Sequence, residues 1–361
     1  MIEPRPHLRD LYRDVERGGK RVEYVRLDRN EQVSPLPESL RREFFASLHS
    51  DVLNAYPDPS PLYERLSARL NVPQESLFVT SGSDTVIRRI FEAFVRPGDA
   101  VLQPDPSYAM YQVYTKMFEA RALTVSYTAA RELPVSQLLA GLDERPRVML
   151  IANPDQPTGT ALTRDVLRRL AAAARERDVL MVIDEAYYPF FPETALDWRA
   201  DFDNVIVSRT FSKVGGLAGV RIGYLVGPPS LVEWVQRTRG SYEVNGVAIA
   251  AACWQLDHRE LERAHVEDVE AGRARLLASA RNLGLDCPAC VTNFQLLRFP
   301  SGCDLRAVVD GLKAEGFLIK GPFGSPALRD CLRVSLGGPD VLVPFVSALE
   351  RVLARVGTAV R

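Results

Sequence analysis

The chain lacks an excess of either charge, since 45 lysines and arginines stand against 46 aspartates and glutamates among its 361 residues. Nucleic acids and anionic membranes are bound mainly through a basic excess, so the composition argues against either as the main partner. No apolar stretch approaches the roughly 20 residues that span a bilayer, and the polar N-terminus lacks the apolar core of a signal peptide. The hydrophobic share of 46% is close to the average of globular chains. We expect a soluble, cytoplasmic protein.

Cysteine and histidine are also scarce. The five cysteines are an odd number, which fits a reducing compartment better than a disulfide framework. Cys287 and Cys290 form a CxxC pair, which invites a redox or zinc interpretation. A zinc site would need a second such pair or two histidines at suitable spacing, and none of the four histidines lies nearby. We therefore favour the alternative, two ordinary loop thiols beside Pro288.

Short apolar runs alternate with helical patterns over residues 75–230. The runs contain much Val, Ile and Leu with little polar alternation, as in a sheet that is covered on both faces. Helical stretches such as Asp84–Phe94 and Arg164–Arg177, the second with Thr163 as N-cap, separate them. The pattern predicts an α/β fold with a mainly parallel, seven-stranded sheet covered by helices. The predicted strands are Leu77–Thr80, Ala100–Gln103, Ala122–Ser126, Val148–Ala152, Val179–Ile183, Val205–Ser208 and Ile222–Val226.

The pattern changes after about residue 230 and predicts a smaller α+β domain. A long helical region comes first, and short strands around a helix follow it before a final amphipathic helix. We predict three parts: an N-terminal segment (1–50) that partly joins the small domain, a large domain (51–250) and a small domain (251–361). The small-domain elements are Ser230–Leu283, Asn293–Phe299, Leu305–Glu315, Leu332–Leu336 and Pro339–Val356.

Four polar loops follow predicted strands, at residues 81–85, 153–159, 183–188 and 209–223. In parallel sheets the ligand-binding edge lies there. Each loop is a weak signal by itself, because an aspartate at a strand end can merely cap a helix and a lone lysine is usually a surface charge. Together they indicate a site with an anion cradle, a buried carboxylate and a lysine.

Lys213 is one of few lysines in the chain, because arginine supplies most of the positive charge. An amine attacks carbonyl groups well when a desolvated or cationic environment lowers its pKa, and Arg221 could supply such a charge. Asp184 ends an apolar strand, so its carboxylate needs a cationic partner such as a protonated pyridine nitrogen. Ser83 lies where a helix start favours phosphate. Lysine, carboxylate and phosphate cradle together describe a pyridoxal phosphate site.

With these residues in view, the sequence resembles the fold-type I, aspartate-aminotransferase superfamily of pyridoxal-phosphate enzymes, and is most similar to histidinol-phosphate aminotransferases. The resemblance covers almost the whole chain and implies an aspartate-aminotransferase-like fold and a homodimer with shared active sites. It also implies a small-molecule amino donor and an oxoacid acceptor such as 2-oxoglutarate. The strings that carry it include LDRNE (27–31), AYPDPS (55–60), the SGSD loop (81–84), NPDQPTG (153–159), DEAYYPF (184–190), RTFSKVGGLAGVRIGY (209–224), TNF (292–294) and LRVSLG (332–337).

The resemblance implies three catalytic residues. Lys213 would bind the cofactor as a Schiff base and, once released by substrate, would move the proton between the substrate Cα and the cofactor. Asp184 would keep the ring nitrogen protonated. Tyr187 would hydrogen-bond the phenolic oxygen of the cofactor.

Further cofactor contacts are implied in the same way. Tyr108 would stack on the ring, and Tyr56 would reach the phosphate of the neighbouring subunit. The phosphate of the same subunit would be held by a larger set, namely Ser83, Asp84, Thr210, Ser212 and Arg221. Arg333 matches the substrate-anion arginine of the family, and the remaining substrate residues are implied to be Lys320, Asn30 and Tyr12.

The sequence departs from the family pattern at three places. Gln156 stands where the family usually has the asparagine that contacts the phenolic oxygen, so either Gln156 or Asn153 would take that role. Asn30 opens NEQV, where relatives commonly read NENP. Lys320 replaces a second arginine and would bind phosphate as a point charge without a bidentate fork. The amine substrate is therefore open among phosphorylated, phosphonylated and carboxylate-bearing compounds.

Three alternatives to an aminotransferase remain at this point. A decarboxylase resembling threonine-phosphate decarboxylase would share these motifs. A non-catalytic, cofactor-sensing regulatory domain would need a preceding DNA-binding region, and only about 25 residues precede LDRNE, with no basic helix visible. A Rossmann dehydrogenase would need its glycines between a strand and a helix, whereas here the glycine-rich segment at 215–223 precedes a strand.

Overall fold

A seven-stranded sheet forms the centre of the large domain in this computed structural model, which describes residues 2–9, 11 and 21–356. The strand order is β2-β8-β7-β6-β5-β3-β4. Only β8 among them runs antiparallel to its neighbours, so the predicted mainly parallel sheet is confirmed. Each predicted strand is present, with ends that differ by no more than two residues: β2 Leu77–Thr80, β3 Ala100–Asp105, β4 Arg121–Ser126, β5 Val148–Ala152, β6 Leu180–Asp184, β7 Val205–Thr210 and β8 Gly223–Val226.

Helices cover both faces of this sheet, and two separate apolar cores lie beneath them. Every residue of β5, β6 and β7 is buried, which explains why these strands read as nearly continuous apolar runs. The Thr163 side chain accepts a hydrogen bond from Val166 N, as expected of an N-cap. The helices up to residue 236 are α1 Glu38–Ser47, α2 Ser60–Leu70, α3 Ser83–Phe94, α4 Ala109–Met117, α5 Val135–Gly141, α6 Arg164–Arg175 and α7 Pro229–Gln236.

The helical region predicted at residues 230–283 is divided into three helices: α7, α8 (Gly246–Asp257) and α9 (Arg259–Asn282). Asn245 begins α8 by accepting a hydrogen bond from Ala248 N at 2.8 Å. His258 separates α8 from α9 because its backbone is not helical (φ −111°, ψ 63°). The predicted domain boundary at residue 250 lies within α8, and Ala252 still packs in a core of the large domain.

The small domain contains two short sheets packed beside α9. Its strands are β1 Val25–Arg26, β9 Phe294–Arg298, β10 Phe317–Leu318 and β11 Cys331–Ser335, and its further helices are α10 Leu305–Ala314 and α11 Pro339–Val356. β1 pairs with β10, and Leu27 is buried in the small-domain core. The N-terminal segment thus contributes a strand and a core residue to this domain.

The five cysteines are all unbridged. Cys290 is buried, with its Sγ 3.4 Å from the Pro288 carbonyl oxygen, and burial raises the pKa of both Cys287 and Cys290. Within residues 2–9, 11 and 21–356, no group of three or more His, Cys, Asp and Glu side chains is arranged to hold a metal ion. None of the helices in those ranges is long and apolar enough to cross a membrane.

Candidate active site

A cleft with about 600 Å³ of empty space, open to solvent, lies at the carboxyl edge of the large sheet. Strands β2, β5, β6 and β7 each end beside it, which is why loops far apart in the sequence meet there. The cleft brings together ten of the predicted cofactor residues: Ser83, Asp84, Tyr108, Gln156, Asp184, Tyr187, Thr210, Ser212, Lys213 and Arg221.

One end of the cleft is a cluster of donors around the start of α3. Arg221 Nη1 donates to Ser212 Oγ at 3.3 Å, and Thr210 Oγ1 donates to the same oxygen at 3.0 Å. The Arg221 guanidinium packs on Gly82, where an added Cβ would lie 2.7 Å from its Nη2. Gly82 also has φ +88°, a conformation that favours glycine. Hydroxyls, a guanidinium and a helix N-terminus suit a phosphate.

Asp184 lies at the floor of the cleft, at the end of β6. Its Oδ2 accepts a hydrogen bond from the Tyr111 hydroxyl at 3.2 Å. Its Oδ1 is buried and has no hydrogen-bond partner among the described residues. Burial raises the pKa of Asp184 to about 7, and hydrogen bonds from the Tyr111 hydroxyl and the Ala186 backbone oppose that rise. An orphaned carboxylate oxygen in a cleft is what a protonated ring nitrogen would satisfy, so these residues fit pyridoxal phosphate.

Lys213 follows β7 and lines the same cleft. Its Nζ donates to the carbonyl oxygens of Arg29 and Asn30, each at 3.1 Å. Burial, and then the positive charge of Arg333, lower the pKa of the Lys213 amine to about 8. A substantial fraction of this amine is therefore neutral near physiological pH, as a nucleophile or proton carrier requires.

Tyr187 and Asn30 join the two domains across the cleft. Asn30 Nδ2 donates to the Tyr187 hydroxyl at 2.8 Å, and burial raises the pKa of Tyr187 to about 12. Asn30 itself has φ +57°. Its carbonyl oxygen accepts a second hydrogen bond, from Asn293 Nδ2 at 3.0 Å. The loop that holds the Lys213 amine is thereby attached to the small domain.

The two amides of the 153–159 loop have different surroundings. Asn153 Oδ1 accepts from Leu162 N at 2.7 Å and Asn153 Nδ2 donates to Leu162 O at 3.3 Å, whereas Gln156 lines the cleft. The loop is anchored by the buried Asp155, which accepts from Ser107 Oγ at 2.5 Å and from Thr158 Oγ1 at 2.6 Å.

Arg333 forms the small-domain side of the site. It is buried, and its Nη2 donates to the Asp28 carbonyl oxygen at 2.8 Å. Its Nε has no partner among the described residues, and its guanidinium lies 5.2 Å from the Phe294 ring centroid. Lys320 pairs with Arg333 through two backbone hydrogen bonds of 3.0 and 2.8 Å. The Lys320 side chain is exposed and does not line the cleft.

Five of the predicted residues that the structure describes do not line the cleft, namely Asn30, Tyr56, Asn153, Lys320 and Arg333. Tyr56 is 78% exposed and stacks on Tyr242 with ring centroids 4.1 Å apart. Tyr12 lies outside the described residues.

Sequence reasoning missed Tyr111, the hydrogen-bond partner of Asp184. The signal available was the three-residue spacing of Tyr108, Tyr111 and Tyr114, which places the three side chains along one side of a helix. It also missed the role of Asn293, although Asn293 belongs to the string TNF (292–294) that carries part of the resemblance.

Comparison with known proteins agrees with the site. The family model of aminotransferase class I and II matches residues 23–348. Histidinol-phosphate aminotransferase 1 of Burkholderia lata is 37% identical over 336 residues, which is 91% of this chain and 92% of that protein. The corresponding protein of Burkholderia mallei is 38% identical over 341 residues, covering 91% and 93%.

Solved structures give the same result for the fold. A histidinol-phosphate aminotransferase from Sinorhizobium meliloti in complex with pyridoxal-5'-phosphate is 25% identical, with a TM-score of 0.87 over 97% of each chain. An L-threonine-O-3-phosphate decarboxylase from Porphyromonas gingivalis, at 22% identity and a TM-score of 0.77 over 91% of this chain and 99% of that one, shows the shared fold alone. The predicted fold class, transaminase activity and pyridoxal phosphate cofactor are confirmed. This chain belongs to the aminotransferase class I and II family.

Proposed function

We propose that this aminotransferase moves an amino group between a small anionic amine, with histidinol phosphate as the first candidate, and an oxoacid such as 2-oxoglutarate. The observation that carries the substrate class is the buried guanidinium of Arg333, whose Nε has no partner among the described residues. A buried guanidinium calls for an anion, and its planar fork suits a carboxylate or a phosphate. The names of the Burkholderia relatives make a phosphorylated amine the first to test.

Pyridoxal phosphate, when bound, supplies an electron sink for negative charge that develops at the substrate Cα. On the protein side, Ser83, Thr210, Ser212 and Arg221 would hold its phosphate. The Asp84 carboxylate accepts hydrogen bonds from the hydroxyls of Tyr108 and Tyr114. Any contact between Asp84 and a phosphate would therefore be made by its backbone N–H at the start of α3.

Asp184 Oδ1 would accept a hydrogen bond from the protonated ring nitrogen of the cofactor. Tyr187 would donate a hydrogen bond to the phenolic oxygen. Between the two candidate amides of the 153–159 loop, we propose Gln156 for the second contact to that oxygen. Asn153 already uses both ends of its amide on Leu162, whereas Gln156 faces the cleft.

Lys213 Nζ is the group we assign to proton transfer at the substrate Cα. Its pKa of about 8 lets the amine both accept and release a proton near neutral pH. The carbonyl oxygens of Arg29 and Asn30 would hold the amine after substrate has displaced it, because both already accept from it.

We further propose that the enzyme is a cytoplasmic homodimer in which Tyr56 serves the site of the partner subunit. Tyr56 stacks on Tyr242, which is 54% exposed, and the segment of chain before Tyr56 carries two more exposed apolar side chains, Leu53 at 85% and Phe45 at 61%. A second copy of the chain covering this face would bury them. Five unbridged cysteines support a reducing compartment. Sedimentation analysis of the purified protein would contradict the dimer if it found a monomer at all concentrations.

The experiment that tests the proposed substrate is a panel of amines offered to the enzyme with pyridoxal phosphate. Histidinol phosphate, histidinol and threonine phosphate would each be incubated with 2-oxoglutarate, with glutamate and carbon dioxide measured separately. Glutamate formation that prefers the phosphorylated amines supports the proposal. Release of carbon dioxide without consumption of the oxoacid would contradict it and favour the decarboxylase.

A further inference from the structure

The three tyrosines of α4 and its N-cap point their hydroxyls at two carboxylates. Tyr108 and Tyr114 donate to the two oxygens of Asp84, at 3.3 and 3.1 Å. Tyr111, between them on the helix, donates to Asp184 Oδ2 at 3.2 Å. Tyr108 and Tyr111 also pack edge to face, with ring centroids 5.6 Å apart. One helix therefore orients both acidic groups.

The two carboxylates come from strands that are not neighbours. Asp84 follows β2 and Asp184 ends β6, and β8 and β7 lie between these strands in the sheet. Their negative charges nevertheless interact, and the charge of Asp84 makes ionisation of Asp184 less favourable. The other titratable groups that act on Asp184 are Tyr108, Glu185, Tyr187 and Lys213.

We propose that Tyr111 is a positioning residue for Asp184, and that its hydrogen bond helps Asp184 to keep the ring nitrogen of the cofactor protonated. The inference rests on the proposed contact of Asp184 with that nitrogen. The Tyr111 hydroxyl donates to Oδ2, and Oδ1 has no hydrogen-bond partner among the described residues. The Tyr111 hydrogen bond thereby restricts the orientation of the carboxylate.

A hydrogen bond to an ionised carboxylate stabilises its charged form, so Tyr111 favours the proton on the ring nitrogen over its transfer to Asp184.

Equilibrium binding of two cofactors tests the inference without reference to activity. The first is pyridoxal phosphate, and the second is its carbocyclic analogue, in which a CH group replaces the ring nitrogen. A residue that only supports the fold would change both affinities alike. We expect the parent protein to bind pyridoxal phosphate more tightly than the analogue. In Tyr111→Phe the ratio of the two affinities should fall about tenfold, which is equivalent to one pKa unit.

One further variant keeps the test decisive. Tyr63→Phe is the matched control, because the Tyr63 hydroxyl contacts Val79 N at 3.1 Å, away from the cleft, and it should keep the parental preference.

A full parental preference in Tyr111→Phe would overturn the role of Tyr111 and leave the proposed function intact. A parent protein that binds neither cofactor would instead contradict the proposed function itself.

Discussion

Two buried carboxylates that are adjacent in the sequence, Asp184 in the cleft and Glu185 in the region behind it, have very different hydrogen-bond partners. We call Glu185, Tyr188, Thr194 and Arg209 the rear cluster. Arg209 donates to Glu185 Oε2 at 3.0 and 2.8 Å, and Thr194 donates to the same oxygen at 2.8 Å. Ala195 N donates to Oε1 at 2.7 Å. Asp184, one residue earlier, keeps one oxygen without a partner among the described residues.

The difference separates a structural charge from a reactive one. Glu185 and Arg209 are both almost completely buried, and breaking such a pair would leave an uncompensated charge. Asp184 lacks any such cation, which costs stability in the empty protein and leaves a group ready for a ligand. Sequence position alone does not distinguish the two, since both belong to the string DEAYYPF.

The largest effect is expected at the cleft, from Lys213→Ala. Transamination should fall on the order of 10⁴-fold or more, because the variant loses both the nucleophile and the proton carrier. Its stability should change little, since the hydrogen bonds of the amine go to two backbone carbonyls. Turnover assays measure the loss of transamination, and urea denaturation measures the stability. Lys116→Ala, at an exposed lysine, is the control. Residual activity near the parental rate would show that another group carries the proton.

In the rear cluster, Glu185→Gln should act on stability. We expect a loss of about 3–5 kcal/mol in the free energy of unfolding, because Arg209 would remain buried without its counter-charge. Urea denaturation measures it, and the affinity for pyridoxal phosphate should change only a few-fold. Asp197→Asn removes an exposed ion pair with Arg164 and should cost about 1 kcal/mol or less. Equal losses in the two variants would remove the contrast between buried and exposed pairs.

Asp184→Asn should have the opposite effects to Glu185→Gln. It should weaken cofactor binding and increase the stability of the cofactor-free protein. The pKa of Asp184 rises from its ordinary 3.8 to about 7 on folding, so the folded state holds its proton more tightly. The parent therefore loses stability as pH rises from about 4 to 7, by about 1.4 kcal/mol per unit from this group. The neutral amide does not titrate.

The stability advantage of Asp184→Asn should thus be absent near pH 4 and reach about 2–4 kcal/mol above pH 7. Urea denaturation of the cofactor-free protein at several pH values measures it. An advantage that does not depend on pH would mean that the orphaned carboxylate is not its source.

The smallest effect concerns the substrate side of the cleft. Arg333→Lys should raise KM for anionic amines about 10-fold or somewhat more, because the bidentate fork is lost while the charge remains. Steady-state kinetics with a phosphorylated and an uncharged donor provide the measurement. Arg298→Lys, on the neighbouring strand β9 and partly exposed, is the matched control. An equal rise in KM for both donors would argue against an anion contact.

Much of the fold could be read in advance because its signals are local. The apolar runs of β5 and β6 reflect burial on both faces, and Thr163 marks a helix start by its own hydrogen bond. The break between α8 and α9 was missed because it depends on backbone angles at His258 that neither glycine nor proline announces.

The sequence by itself determined which chemical groups the site contains, because lysine, carboxylate and hydroxyls follow strands whose ends meet at one edge of the sheet. Tertiary structure decided the hydrogen-bond partners, the burial and the pKa of each group. The pairing of Tyr111 with Asp184, and of Asn30 with Tyr187, joins residues 73 and 157 positions apart. The contrast between Asp184 and Glu185 likewise arises from Arg209, which reaches only one of them. Partners, burial and the resulting pKa values depend on distances in space, which spacing along the chain does not encode.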